Sequence, residues 1–109
     1  MFELRGMLPA LLTPFGADGE VNTAVLPEMI EWQLAAGVAG FYILGSTGEG
    51  LLLSEAERRT FAEAVVRQVK GRVPVVVHVG ALTTRTACDL AVHAAEIGAD
   101  AARHEVYGL

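Results

Sequence analysis

A glycine-spaced segment at positions 45–50, with the sequence GSTGEG, carries the residue types in this chain that are best suited to hold a small anion. Gly45 and Gly48 permit sharp turns and let the backbone approach a ligand closely. Ser46 and Thr47 add two hydroxyls and two backbone N–H groups. Such donors suit a carboxylate or a carbonyl oxygen, and one hydroxyl could pass a proton. The segment therefore predicts a binding recess.

The spacing of the glycines argues against two other kinds of glycine-rich site. Gly45-x-x-Gly48-x-Gly50 differs from the G-x-G-x-x-G pattern of dinucleotide-binding turns, and no Gly-Lys-Ser/Thr sequence follows, as a phosphate-binding loop requires. The alternative that spacing leaves open is an ordinary turn between a strand and a helix, built from small residues and without a ligand.

The elements that must position this segment follow a repeating pattern. An apolar run followed by a helical pattern occurs three times, with a period of roughly 30–35 residues. The predicted strands are 7–12, 39–44 and 73–79, and the predicted helices begin near Asn22, Ser54 and Thr83 and end before Gly37, Gly71 and Gly98. The second and third strands lack apolar–polar alternation, which is typical of a parallel sheet covered by helices.

This α/β pattern fits either an open doubly wound sheet or a (β/α)8 barrel. In both folds ligands bind at the carboxyl ends of the strands, where segment 45–50 is predicted to lie. Because a barrel takes about 250 residues, three units are too few to close one. As a barrel, this chain would be an incomplete one of three βα units, and the open sheet stays an alternative at this point.

Composition narrows the functional classes. The chain has 109 residues, 52% of them hydrophobic, and a net charge of −5 without a Lys/Arg cluster, which argues against nucleic acid and anionic membranes as partners. The single cysteine, Cys88, cannot form an internal disulfide, which favours a reducing compartment such as the cytoplasm. His93 and His104 lack partners at metal-ligand spacing. We expect neither a metal nor another cofactor.

Further sequence patterns surround the turn: LRG at 4–6, ALLTPF at 10–15 and VHVG at 77–80. Together with GSTGE at 45–49, they resemble the N-terminal part of the dihydrodipicolinate synthase / N-acetylneuraminate lyase family, in register over residues 4–101. The resemblance implies a (β/α)8 barrel, usually tetrameric, in which a lysine forms a Schiff base with pyruvate or a related 2-oxo acid. It leaves N-acetylneuraminate lyase-like and 2-keto-3-deoxy acid aldolase activities open as alternatives.

The resemblance also implies roles for individual residues. Ser46 matches the hydroxyl that takes part in a proton relay with tyrosines and is the catalytic candidate. Thr47 matches the residue that binds the carboxylate of the 2-oxo acid through its hydroxyl and N–H group. Gly45, Gly48 and Thr13 are further candidates for the substrate pocket, Thr13 because it lies at the mouth of the first predicted strand.

Two features separate this chain from the complete family pattern. Lys70 is its only lysine and falls at the end of the second predicted helix. A helix C-terminus favours the charged form of a lysine amine, whereas a Schiff base needs the neutral, nucleophilic form. Residues 102–109 replace the expected apolar strand with a divergent tail containing three consecutive ionisable residues. We therefore expect a barrel portion at 1–101, a truncated chain and no activity of the chain alone.

A hypothesis of a different class is a non-catalytic α/β fragment that survives by association. Its small sheet would have open edges and an uncovered face, which favours pairing with further copies and hence a homo-oligomer.

Two polar residues receive structural interpretations. His78 is either a hydrogen-bonded histidine at a strand end or part of the pocket mouth, and Arg58 belongs to a solvated helix start.

Overall fold

Three parallel strands and three α-helices alternate along the chain in the computed structural model, which describes residues 3–104. The strands are β1 (Phe41–Ile43), β2 (Val75–His78) and β3 (Ala101–Arg103), and the helices are α1 (Leu26–Ala35), α2 (Glu55–Val69) and α3 (Thr84–Glu96). Both neighbouring pairs in the order β1-β2-β3 are parallel. The predicted α/β class with parallel strands is confirmed.

The first predicted strand, 7–12, is reduced to a short pairing beside β1. The N–H of Tyr42 donates to the Pro9 carbonyl at 3.0 Å, and the N–H of Leu11 donates to the Tyr42 carbonyl at 2.9 Å. Within the described residues this segment forms an isolated parallel bridge at Ala10 and no continuous strand. Proline explains the difference, because Pro9 has no N–H for the next rung of the ladder.

The helices begin at the side chains that the sequence predicts. The Ser54 hydroxyl accepts from the Glu57 N–H at 3.1 Å, and the Glu57 carboxylate accepts from the Ser54 N–H at 2.8 Å, which completes a capping box before α2. At α3 only the first half of this arrangement occurs, since the Thr83 hydroxyl accepts from the Thr86 N–H at 3.2 Å. The Asn22 side chain caps a short 3₁₀ turn, Thr23–Val25, that leads into α1. These caps set the direction in which each helix leaves its loop.

Residues 101–103 form a strand that the sequence argument does not anticipate. Ala101 pairs with Val76 and Arg103 with His78, so the predicted boundary between a barrel portion and a tail falls inside β3. The expectation rested on the cost of burying ionisable side chains, but β3 is an edge strand and Arg103 is exposed. Residues 105–109 of the predicted tail lie outside the described residues.

The core lies between the sheet and the three helices. Its buried members are Phe41, Ile43, Val75 and Val77 from the sheet and Leu26, Ile30, Phe61, Ala62, Val65, Val69, Leu90 and Ala94 from the helices. Because side chains alternate along a strand, Tyr42, Val76 and Ala101, which are neighbours in register, face the other side. We call this side the inner face. None of these three residues belongs to the core cluster that the sheet shares with the helices, as in an incomplete barrel.

Candidate functional site

Segment 45–50 forms a tight turn directly after β1. The N–H of Glu49 donates to the Ser46 carbonyl at 3.0 Å, and the N–H of Gly50 donates to the Gly45 carbonyl at 3.1 Å. A 3₁₀ turn, Gly50–Leu52, follows and leads to α2. The turn thus stands at the carboxyl end of a parallel strand, the edge at which α/β folds bind ligands.

The glycines of the turn are required by close packing of the backbone. A Cβ atom at Gly50 would collide with the carbonyl of Leu44, and one at Gly45 would lie 2.6 Å from the Tyr42 ring. Gly48 is likewise surrounded by backbone atoms. Gly45 and Gly48 are buried beneath the turn. Their contact with a substrate therefore stays a prediction, while their structural role is visible.

Ser46 and Thr47 lie exposed at the tip of the turn, above the two buried glycines. Among residues 3–104, neither amide N–H donates to a backbone carbonyl. Two adjacent hydroxyls and two adjacent N–H groups therefore belong to one short exposed segment. This arrangement can bind the two oxygens of a carboxylate, because each oxygen accepts from more than one donor.

Thr13 lies below the turn rather than at its exposed surface. Its side-chain hydroxyl donates to the Gly48 carbonyl at 2.6 Å, and the residue is 5% exposed. The hydroxyl proton of Thr13 is thus used to hold the turn. A direct contact between Thr13 and a substrate stays a prediction.

His78 is fully buried at the end of β2, next to the turn. Its Nδ1 atom lies 3.0 Å from the carbonyl oxygen of Leu44, the residue that precedes the turn. Its ring also meets the edge of the Tyr42 ring at a centroid distance of 6.3 Å, and the Arg103 guanidinium lies 5.6 Å from the Tyr42 centroid. Of the two interpretations from sequence, the hydrogen-bonded strand-end histidine is confirmed.

Arg58 is a buried residue that the sequence interpretation places wrongly at a solvated helix start. It is 4% exposed, and its two terminal nitrogens donate to the carbonyls of His78 and Gly80, each at 2.8 Å. Its position signals this role, because it lies three residues before Phe61 and four before Ala62, on the buried stripe of α2. Arg58 thus ties α2 to the carboxyl end of β2.

An exposed ion pair with two hydrogen bonds lies away from the turn. The Arg72 guanidinium donates to both carboxylate oxygens of Glu31, at 2.8 and 2.6 Å, and Gln68 donates to the same carboxylate. The hydrogen bonds from Arg72, followed by that from Gln68, lower the pKa of Glu31 from 4.5 to about 2. This pair joins α1 to the segment between α2 and β2, and it has a structural rather than a catalytic position.

Lys70 is far from the turn. It follows α2 with a left-handed φ of 53° and is exposed. Because α2 starts beside the turn and has 15 residues, a rise of 1.5 Å per residue places its far end about 22 Å away. Within residues 3–104, no cluster of three or more His, Cys, Asp or Glu side chains could hold a metal ion, and no helix has the length and apolarity to cross a membrane.

Comparison with known proteins places these features in a family. The sequence profile of the dihydrodipicolinate synthetase family matches residues 3–106. A 4-hydroxy-tetrahydrodipicolinate synthase from Nitrobacter hamburgensis is 43% identical over 99 residues, and an N-acetylneuraminate lyase from Rattus norvegicus is 45% identical over 100 residues. These matches cover 91% and 90% of this chain, but 33% and 31% of the relatives. The chain therefore spans about a third of the length of the curated relatives it matches.

A solved structure gives the same result for the fold. A prophage protein of the dihydrodipicolinic acid synthase family from E. coli K12, in complex with pyruvate, superimposes with a TM-score of 0.89 at 34% identity. The superposition covers 93% of this chain and 34% of that one. The described strands and helices are thus part of a TIM barrel, as predicted.

Proposed function

The chain belongs to the dihydrodipicolinate synthetase family, and from that premise we propose that it carries the carboxylate-binding part of a pyruvate-dependent Schiff-base lyase or synthase. The ligand in this proposal is a small 2-oxo acid, and the reaction forms or breaks a carbon–carbon bond. The observation that carries the proposal is the exposed pair Ser46–Thr47, with four adjacent donors at the carboxyl end of β1. The pyruvate bound to the E. coli relative supports this ligand class.

Ser46 and Thr47 have different roles in the proposal. Thr47 binds the carboxylate through its hydroxyl and its amide N–H, because charged acceptors form shorter and stronger hydrogen bonds than neutral ones. Ser46 passes a proton between the substrate and a tyrosine hydroxyl. Buried Gly45 and Gly48 keep the backbone under both residues compact.

The Schiff-base amine in this proposal comes from outside these 109 residues. A nucleophilic lysine has to be partly desolvated so that its amine is neutral. Lys70 is exposed and lies at the far end of α2 from the turn. We therefore propose that this chain binds a 2-oxo acid but forms no Schiff base by itself.

Pyruvate affinity of turn variants tests the binding role. Saturation-transfer NMR measures pyruvate binding by wild type, Thr47→Val and Thr60→Val. Thr60 is an exposed threonine on α2 and serves as the matched control for Thr47. Loss of a hydrogen bond to a charged group costs about 1.5–3 kcal/mol, so Thr47→Val should weaken binding roughly tenfold or more. Equal weakening in Thr60→Val, or no pyruvate binding by wild type, would contradict the proposal.

Borohydride trapping tests the absence of Schiff-base formation separately. The chain is incubated with pyruvate and borohydride, and its intact mass is then measured. We expect no covalent adduct, because the only lysine lies away from the turn. A reduced pyruvate adduct mapped to Lys70 would overturn the statement about the amine, whereas the carboxylate-binding proposal would still depend on the affinity measurement.

Relatives with two different activities match this chain about equally well. The two relatives have nearly equal identities, 43% and 45%, although one is a synthase and the other a lyase. Dihydrodipicolinate synthase-like, N-acetylneuraminate lyase-like and 2-keto-3-deoxy acid aldolase chemistry are thus versions of one proposal that share the 2-oxo acid. The exposed thiol of Cys88 supports a reducing, cytoplasmic location within the same proposal.

A second proposal is that the chain self-associates through the inner face. Leu12, adjacent to this face, is 60% exposed, and β3 leaves one edge of the sheet open. Light scattering after size-exclusion chromatography tests this, with Leu12→Lys compared with Val92→Lys, a residue on α3 that is 58% exposed. Association should be lost in the first variant alone, and a wild-type monomer would refute it.

A further inference from the structure

Leu44 connects β1 to the turn in a conformation that leucine rarely adopts. Its φ is 64°, in the left-handed region, and the residue is 1% exposed. Left-handed non-glycine residues persist where surrounding contacts hold them. Because the peptide plane after Leu44 leads into Gly45 and Ser46, the contacts of the Leu44 carbonyl control where the turn is aimed.

The buried imidazole of His78 provides such a contact. Its Nδ1 atom lies 3.0 Å from the Leu44 carbonyl oxygen, and the side chain has no exposed surface. A carbonyl oxygen only accepts, so Nδ1 has to carry the proton in this hydrogen bond. His78 thus donates to the last carbonyl before the turn, from the neighbouring strand.

His78 is itself held at its backbone. Arg58 donates to the carbonyls of His78 and Gly80, each at 2.8 Å, and this guanidinium is buried. On its other side, the Leu44 carbonyl is confined by Gly50, where a Cβ would collide with it. A continuous set of contacts therefore runs from α2 through the end of β2 to the turn.

We propose that His78 is a positioning residue, whose Nδ1–H fixes the Leu44 carbonyl and thereby aims the donors of Ser46 and Thr47 at the ligand carboxylate. The inference rests on the proposed function for the identity of the ligand. The conformation of the turn can be tested without any ligand.

Replacing His78 with asparagine or with glutamine tests whether the turn needs this particular hydrogen bond or only a polar side chain at position 78. Asparagine places its side-chain nitrogen near the position of Nδ1, whereas glutamine carries the same amide one carbon farther out. His78→Asn should keep the ¹H–¹⁵N shifts of Gly45, Ser46 and Thr47 and bind pyruvate within about twofold of wild type. His78→Gln should move those shifts and weaken pyruvate roughly tenfold, the equivalent of one hydrogen bond. Indistinguishable variants would overturn the inference.

The protonation of the imidazole gives a second measurement, which needs no variant. Long-range ¹H–¹⁵N correlation spectra of the wild-type chain should show a proton on Nδ1 of His78. A neutral ring protonated on Nε2 alone would overturn the inference, because it cannot donate to Leu44. If the wild-type chain binds no pyruvate, the proposed function fails, while the tautomer and the turn shifts still decide the positioning role.

Discussion

Replacing Thr13 with Val tests how the turn is supported. The substitution removes the hydroxyl and keeps the branched shape of the side chain, so it opens little cavity. In the native chain, this hydroxyl donates to the Gly48 carbonyl at 2.6 Å in a buried setting. Thr13→Val leaves that carbonyl without its side-chain donor, whereas Thr13→Ser keeps the donor.

The size of the effect follows from that loss. A buried polar group left without its partner costs about 1–3 kcal/mol. For a domain of this size, each kcal/mol lowers Tm by about 4 °C or more. Thr13→Val should therefore lower Tm by at least about 4 °C in the absence of ligand. Thr13→Ser loses one buried methyl group and should lose less stability.

Urea unfolding followed by circular dichroism measures the free energies of Thr13→Val, Thr13→Ser and Thr60→Val. Thr60→Val makes the same chemical change on the exposed surface of α2 and should stay within about 0.5 kcal/mol of wild type. A Thr13→Val chain as stable as Thr60→Val would refute the supporting role. If it also bound pyruvate more weakly, Thr13 would act on the substrate, as the family resemblance implies.

Three further predictions concern the same framework. Arg58→Met removes two buried hydrogen bonds and should lower the free energy of urea unfolding by about 3 kcal/mol. The control Arg59→Met, at the neighbouring position, should change it by less than about 0.5 kcal/mol. Equal effects of the two substitutions would contradict the buried role of Arg58. Gly50→Ala introduces a backbone collision and should cost about 1–3 kcal/mol; an unchanged unfolding midpoint would contradict it. Because pairing with Arg72 lowers the pKa of Glu31 to about 2, its stabilisation is full above its ordinary pKa of 4.5 and is lost as pH falls to about 2. The stability difference between wild type and Glu31→Gln should therefore shrink between pH 6 and pH 2, and a constant difference would contradict the assignment.

The parts of the fold that depend on local chemistry could be predicted from the sequence. Ser54 and Glu57 form the capping box that their spacing predicts. The continuous apolar runs give parallel strands with buried faces, as at β2, where all four residues are buried. The position of the turn after β1 follows from the order of these elements.

The parts that depend on contacts distant in sequence could not be predicted from local pattern. Pro9 shortens the first pairing because one particular N–H of the ladder is missing. Residues 101–103 form a strand because an edge position leaves Arg103 in solvent. The left-handed φ of Leu44 has no signal in its own residue type, and its carbonyl lies 3.0 Å from His78 on the neighbouring strand, 34 residues away in sequence.

The most direct test of the central claim is to locate bound pyruvate on the chain by ¹H–¹⁵N chemical-shift mapping. The account predicts that pyruvate moves the amide signals of Ser46 and Thr47 first, and that Thr47→Val requires roughly tenfold more pyruvate, or more, for the same response while the fold is retained. Pyruvate shifts confined to other regions, such as the end of α2 near Lys70, or a response unchanged in Thr47→Val, would contradict the claim that this turn binds the carboxylate.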